Sequence, residues 1–121
     1  MREEGRLLAR RKLDKELRFY RLAAKQKNPT QDLLRRVRQV LGVPVAEVAR
    51  KAGINRSVIF RLEESEARGT ISLRAMTRVA GALDCNVVYA LVPNDGGTLE
   101  EMANKRKWGK LLGVGIRGYA D

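Results

Sequence analysis

Apolar residues in the middle of the chain recur three and four positions apart, and farther on they run consecutively. Leu33, Leu34, Val37, Val40 and Leu41 form one such stripe, the spacing of one face of an α-helix. Thr30 precedes it as an N-cap and Gly42 follows as a stop. Pro44 falls in the first turn of the next helix, where its missing N–H costs nothing, and that helix runs to Ala52. Gly53 breaks it. Asn55 caps a further helix through about Glu64, and Ser65–Thr70 reads as a polar loop. Ser72 then caps a helix carrying Leu73, Met76, Val79, Ala80 and Leu83.

The flanks have a different texture. Leu13, Leu17 and Tyr20 predict one long amphipathic helix from about Glu3 to Lys25, ended by Asn28-Pro29. Asn86, Val87, Val88, Tyr89, Ala90, Leu91 and Val92 are rich in β-branched and aromatic types, and Pro93-Asn94-Asp95-Gly96-Gly97 closes the run. This predicts one β-strand with no second strand to pair with. Such a strand needs a copy of itself or a partner's sheet edge; a short fifth helix is the alternative. Thr98 with Glu101 forms a capping box for a short helix to about Trp108, followed by a loose Gly-rich end. Three stretches result: 1–28, 29–93 and 94–121. The expected class is mainly α.

Charge narrows the partners. There are 25 Lys and Arg against 14 Asp and Glu, a net +11. Residues 1–28 alone hold ten basic and four acidic side chains, a net +6. Nucleic acid is the usual partner of a small basic protein and an acidic membrane surface comes second; the alternative is a merely well-solvated surface. No apolar run approaches the roughly 20 residues that span a bilayer. The chain has no His and one Cys, Cys85. Ser-His and Cys-His catalytic pairs cannot be built, nor can a Cys/His zinc site. An internal disulfide is impossible, which fits a reducing cytoplasm. Cys85 is expected to be a small buried hydrophobe.

Val45 through Glu64 reads VAEVARKAGINRSVIFRLEE. A helix-turn-helix needs two helices crossing steeply over a tight turn. Gly53 suits the turn because it tolerates positive φ, and Ala49 is small where the second helix crosses. Val48, Ala52, Ile54, Ile59 and Leu62 lie where the pair must lock. The second helix would read DNA. Asn55, Arg56, Ser57, Phe60 and Arg61 remain outward as candidate base contacts. Arg bonds guanine bidentately and Ser bonds several bases. Phe60 either meets a thymine methyl or packs under the 65–70 loop. Arg50, Lys51 and Arg68 are placed for phosphates, which position without specifying. Glu63 and Glu64 read as solvated or ion-paired.

On these residues, Leu34 to Leu83 resembles the lambda-repressor-like, Cro-type helix-turn-helix domains. The likeness rests on the Ala49-Gly53-Ile54 turn, the Ile59 and Leu62 locks and the Leu62-Glu63 close. It implies a five-helix bundle whose base-reading positions are Arg56, Ser57 and Arg61, with Asn55 beside them. Val45 departs from the Gln or Ser that often opens the family's first motif helix. Its side chain cannot hold a phosphate, although backbone N–H groups there can. Arg11 to Lys15 (RKLDK), the LEESEARGTISL stretch ending at Leu73 and ALDCNVVYALVP ending at Pro93 also resemble the mobile mystery protein A family, from about Ala9 to Met102. Genes of that bacterial family typically lie beside one for a Fic-domain protein, an enzyme class that transfers AMP or related groups to hydroxyls. The resemblance implies an antitoxin-like or regulatory partner role. Lys107 to Asp121 departs from the family's tail, and the Ser/Thr-x-x-x-Glu spacing of some Fic inhibitors does not occur.

The expected function is a cytoplasmic, sequence-specific transcriptional regulator that binds double-stranded DNA as a homodimer and represses its own operon. The alternative is an antitoxin-like interaction protein binding a Fic-domain partner. RNA binding lacks an aromatic stacking platform on a sheet. No enzyme activity, cofactor, metal or membrane partner is expected.

Overall fold

In the computed structural model, which describes residues 2–25 and 31–111, six α-helices follow one another: α1 (Glu3–Glu16), α2 (Leu33–Val40), α3 (Val45–Ala52), α4 (Arg56–Arg68), α5 (Leu73–Ala82) and α6 (Leu99–Leu111). A 3-10 turn, Arg21–Lys25, follows α1. The fold is mainly α, with no strand among the described residues. Asn28-Pro29, Thr30 and the glycines at 113, 115 and 118 lie outside the described residues. The chain divides into two units, Asn28–Tyr89, and Met1–Lys27 with Ala90–Asp121.

In the first unit α2 to α5 bury their apolar stripes against one another. Val48 and Ile59 are wholly buried, Leu34 and Val79 nearly so, and Leu62, Ile54 and Met76 pack around them. Each of the fully buried side chains contributes roughly 1.5–3 kcal/mol by leaving water. Gly53 takes φ 69°, and its N–H and that of Ile54 return to the last carbonyls of α3. A side chain there would be strained in the left-handed region. Ser72 caps α5 as expected, accepting from the Ala75 N–H at 3.1 Å.

Several boundaries differ from the sequence expectations. Pro44 is the N-cap of α3, just before the first turn in which the sequence places it. The expected loop at 65–70 is helical through Arg68: α4 runs to Gly69, at φ 76°. Nothing from Ser65 to Arg68 breaks a helix, and both Glu63 and Glu66 bond to α2. The Glu66 carboxylate accepts from the backbone N–H groups of Asp32 and Leu34, at 2.8 and 2.7 Å. An anion from another helix thus satisfies donors that a helix start leaves open, beside Asp32, whose own side chain makes no capping bond.

The expected continuous helix to Lys25 stops at Glu16. Arg21 folds back and donates to the Asp14 carbonyl at 2.6 Å, covering an acceptor that the helix end exposes. Cys85 is exposed rather than buried; its thiol donates to the Leu83 carbonyl at 3.4 Å. Residues 86–92 form neither the strand nor the short helix in the single chain. A strand exists only with a ladder partner, and none of their N–H groups bonds another described backbone carbonyl.

In the second unit α1 packs on α6. The Asp14 carboxylate accepts from the N–H groups of Leu99 and Glu100 at the start of α6, at 2.7 and 3.2 Å. Thr98 accepts from the Glu101 N–H at 3.1 Å. The helix continues past Trp108 to Leu111.

Candidate nucleic-acid interface

α4 presents two opposed faces because its apolar and polar residues are segregated at helical spacing. Ile59, Glu63 and Glu66 are buried, and Val58 and Leu62 are half-buried. On the other side Ser57, Arg61, Glu64 and Arg68 follow at steps of four, three and four, with Phe60 three after Ser57, and all are exposed. Arg56 flanks this stripe at the helix start and is also exposed. Phe60 is 52% exposed. The stretch from Ser65 to Arg68 is helix, so no loop there covers the ring, and it stands open to another molecule.

Asn55 occupies the N-cap backbone position, but its side chain makes no capping bond. The amide is thus not committed to the helix. Arg56 and Arg61 form no ion pair or hydrogen bond with any described residue, and the same holds for Arg50. Arg68 is engaged by Glu64 at 3.6 Å, and Lys51 lies 3.9 Å from Asp84. Both pairs are solvent-facing and weak, so both cations can exchange partners. The structure therefore gathers Asn55, Arg56, Ser57, Phe60 and Arg61 on or beside one exposed face of one helix. Arg50 and Lys51 are on the preceding helix and Arg68 is at the far end of α4.

The rear of α4 is held electrostatically. Arg38 donates to Glu63 through Nε at 2.6 Å and Nη2 at 3.1 Å. Arg35 approaches the same carboxylate at 3.6 Å. Glu63 is 1% exposed, so the expectation of an ion pair holds while that of solvation does not. The Glu63 bonds push the Arg38 guanidinium above its usual value. Arg78, which sequence reasoning did not single out, donates from α5 to the Ala52 and Gly53 carbonyls at 3.0 and 3.5 Å. It closes the α3–α4 turn from 25 residues away, and no local pattern announces it.

Among the described residues no group of three or more His, Cys, Asp or Glu is placed to hold a metal ion, and no helix is long and apolar enough to cross a membrane. The chain matches no protein-family model, no curated protein and no solved structure.

Proposed function

We propose that α3 and α4 are a helix-turn-helix and that the protein is a sequence-specific, DNA-binding transcriptional regulator. One observation carries this reading: the exposed side of α4 holds Arg56, Ser57, Phe60 and Arg61 without internal partners, while its opposite side is clamped to the bundle. A helix so presented fits a major groove, where arginine reads guanine O6 and N7. Arg50, Lys51 and Arg68 then meet phosphates. The test is selection of bound fragments from random duplex DNA. Arg56→Ala or Arg61→Ala is expected to cost about 1–3 kcal/mol on the selected site and to relax base preference. Identical selected sequences for wild type and both variants would refute the assignment.

The same reading makes the regulator a homodimer and a repressor of its own operon. Residues 86–92 leave backbone groups without ladder partners, and Val88, Tyr89 and Leu91 are more than 70% exposed. Antiparallel pairing of this segment with a second copy covers both. It also sets two copies of α4 for a palindromic operator, with half-sites about 34 Å apart. Tyr89→Pro removes a ladder N–H. It is expected to give a folded monomer with much weaker operator binding, read by sedimentation at micromolar concentration. A wild-type monomer that binds its operator tightly excludes this dimer. A Fic-domain protein that pairs with 86–92 instead would make the chain an antitoxin-like partner; in that case sedimentation shows a monomer that shifts only when the partner is added.

A further inference from the structure

We propose that α1 carries a second, sequence-independent phosphate-binding face, formed by Arg11, Lys12 and Lys15 with Arg18 just beyond the helix. This rests on the DNA-binding reading and assigns the basic N-terminal block a defined part in it.

Seven basic residues from Arg6 to Arg21 fall into two groups. Arg6 pairs with Glu3 at 2.8 Å. Arg10 reaches Glu3 at 3.4 Å and Glu100 at 3.8 Å, and Arg21 donates to the Asp14 carbonyl. These three are engaged within the unit. Arg11, Lys12 and Lys15 are exposed and have no ion pair or hydrogen bond with described residues. Arg18 is exposed too, and its guanidinium lies 4.7 Å from the centre of the Phe19 ring, a contact that leaves its charge intact. Arg11 and Lys15 are one turn apart and Lys12 stands next to them, so the charges share one side of the helix.

Two acidic side chains that could neutralise this face are directed elsewhere. Glu3 is held by Arg6 and Arg10, and Asp14 caps α6. Glu16 flanks the cluster and Glu4 is exposed two turns before Lys12, so the four basic side chains outnumber the acidic ones beside them. Like charges one turn apart destabilise a helix, so the arrangement works against α1 unless a polyanion neutralises it. Each lysine or arginine that meets a phosphate releases counterions, the term that drives binding without base preference. A duplex already held by α4 supplies such phosphates at high local density. Two of the three helix cations are lysines, flexible point charges without the planar fork that reads guanine, so the face positions rather than reads.

The experiment uses the full chain and two probes, a random-sequence duplex and the duplex selected by wild type, across a series of KCl concentrations. Arg11→Gln/Lys12→Gln/Lys15→Gln keeps good helix formers; circular dichroism verifies that helicity is retained. The expected result is a slope of log K against log[KCl] shallower by about 2–3, at roughly 0.9 for each phosphate no longer neutralised, with the selected sequence unchanged. Arg6→Gln, which removes one charge of the engaged set, is expected to leave the slope unaltered. An unchanged slope in the triple variant overturns the proposal. So does a triple variant that loses binding to vesicles of anionic phospholipid but not to duplex. If wild type binds no duplex, the regulator reading fails as well. If Arg61→Ala relaxes selection while the triple variant behaves as wild type, only the α1 face is wrong.

Discussion

The two units use the same device and differ in everything around it. In each, a carboxylate from one element accepts two N–H groups at the start of another helix: Glu66 on α2, and Asp14 on α6. In the unit spanning 28–89 this cap sits on a sealed apolar core, Val48, Ile59 and Val79, beside the buried Glu63–Arg38 pair. In the other unit no large apolar side chain among the described residues is buried. Among its described residues Pro93 and Gly109 are buried, while Leu8, Phe19, Leu22, Trp108 and Leu111 are exposed. Arg10 Nε and Glu100 Oε2 there are buried, lack hydrogen bonds and face each other at 3.8 Å. One unit is held by packing with polar fixings, the other mainly by the fixings. On the proposed reading, a packed unit suits side chains that must be aimed at base edges. A polar one suits contacts that need charge rather than precision of place.

The contrast is most exposed to failure at Glu63. Removing one partner of a buried pair strands the other charge, so Glu63→Ala is expected to cost about 3–5 kcal/mol, measured by urea unfolding. A loss near zero would mean that Arg38 finds water and that the rear of α4 is not sealed. Asp14→Ala comes next. It leaves two helix-start N–H groups without their acceptor, an expected cost of about 1–2 kcal/mol. The readout is hydrogen exchange at the Leu99 and Glu100 amides, which should quicken; unchanged rates would show that Asp14 is not what holds α6.

A pH response at Asp95 is the mildest of the three. Its carboxylate accepts the Gly97 N–H at 2.8 Å and pairs with Lys105 at 2.9 Å. The Gly97 bond first, then Lys105, lowers the carboxyl below the ordinary aspartate value. The support it gives the turn is therefore complete above that ordinary value and fades as pH falls through the lowered one. An NMR titration following the Gly97 amide should give a midpoint below that of a free aspartate. A midpoint at or above it would mean that the turn does not depend on the carboxylate.

Much of the first unit is legible in residue order alone. Helical periodicity locates α2, α3 and α5 because each must bury one stripe, and that demand leaves a mark at every third or fourth position. Gly53 is legible because a left-handed turn residue is nearly always glycine. The exposed set on α4 follows by subtraction, once Ile59 and Leu62 are assigned to the core. The end of α4 is misplaced by the same reading because polar residues after Leu62 resemble a loop when their partners are out of sight. Long reach hides the rest. Glu66 bonds residues more than 30 positions away, and Asp14 bonds α6 across more than 80.

Residue type and spacing therefore state where apolar stripes run, where the backbone must turn and how much positive charge the surface carries. These are local properties of the chain. Which charges stay free is settled only by folding. Arg6, Arg10 and Arg21 are engaged while Arg11, Lys12 and Lys15 are not, and Glu63 is buried while Glu64 is exposed. A charged side chain carries the same letter in either state, because what distinguishes them is a partner brought near in three dimensions.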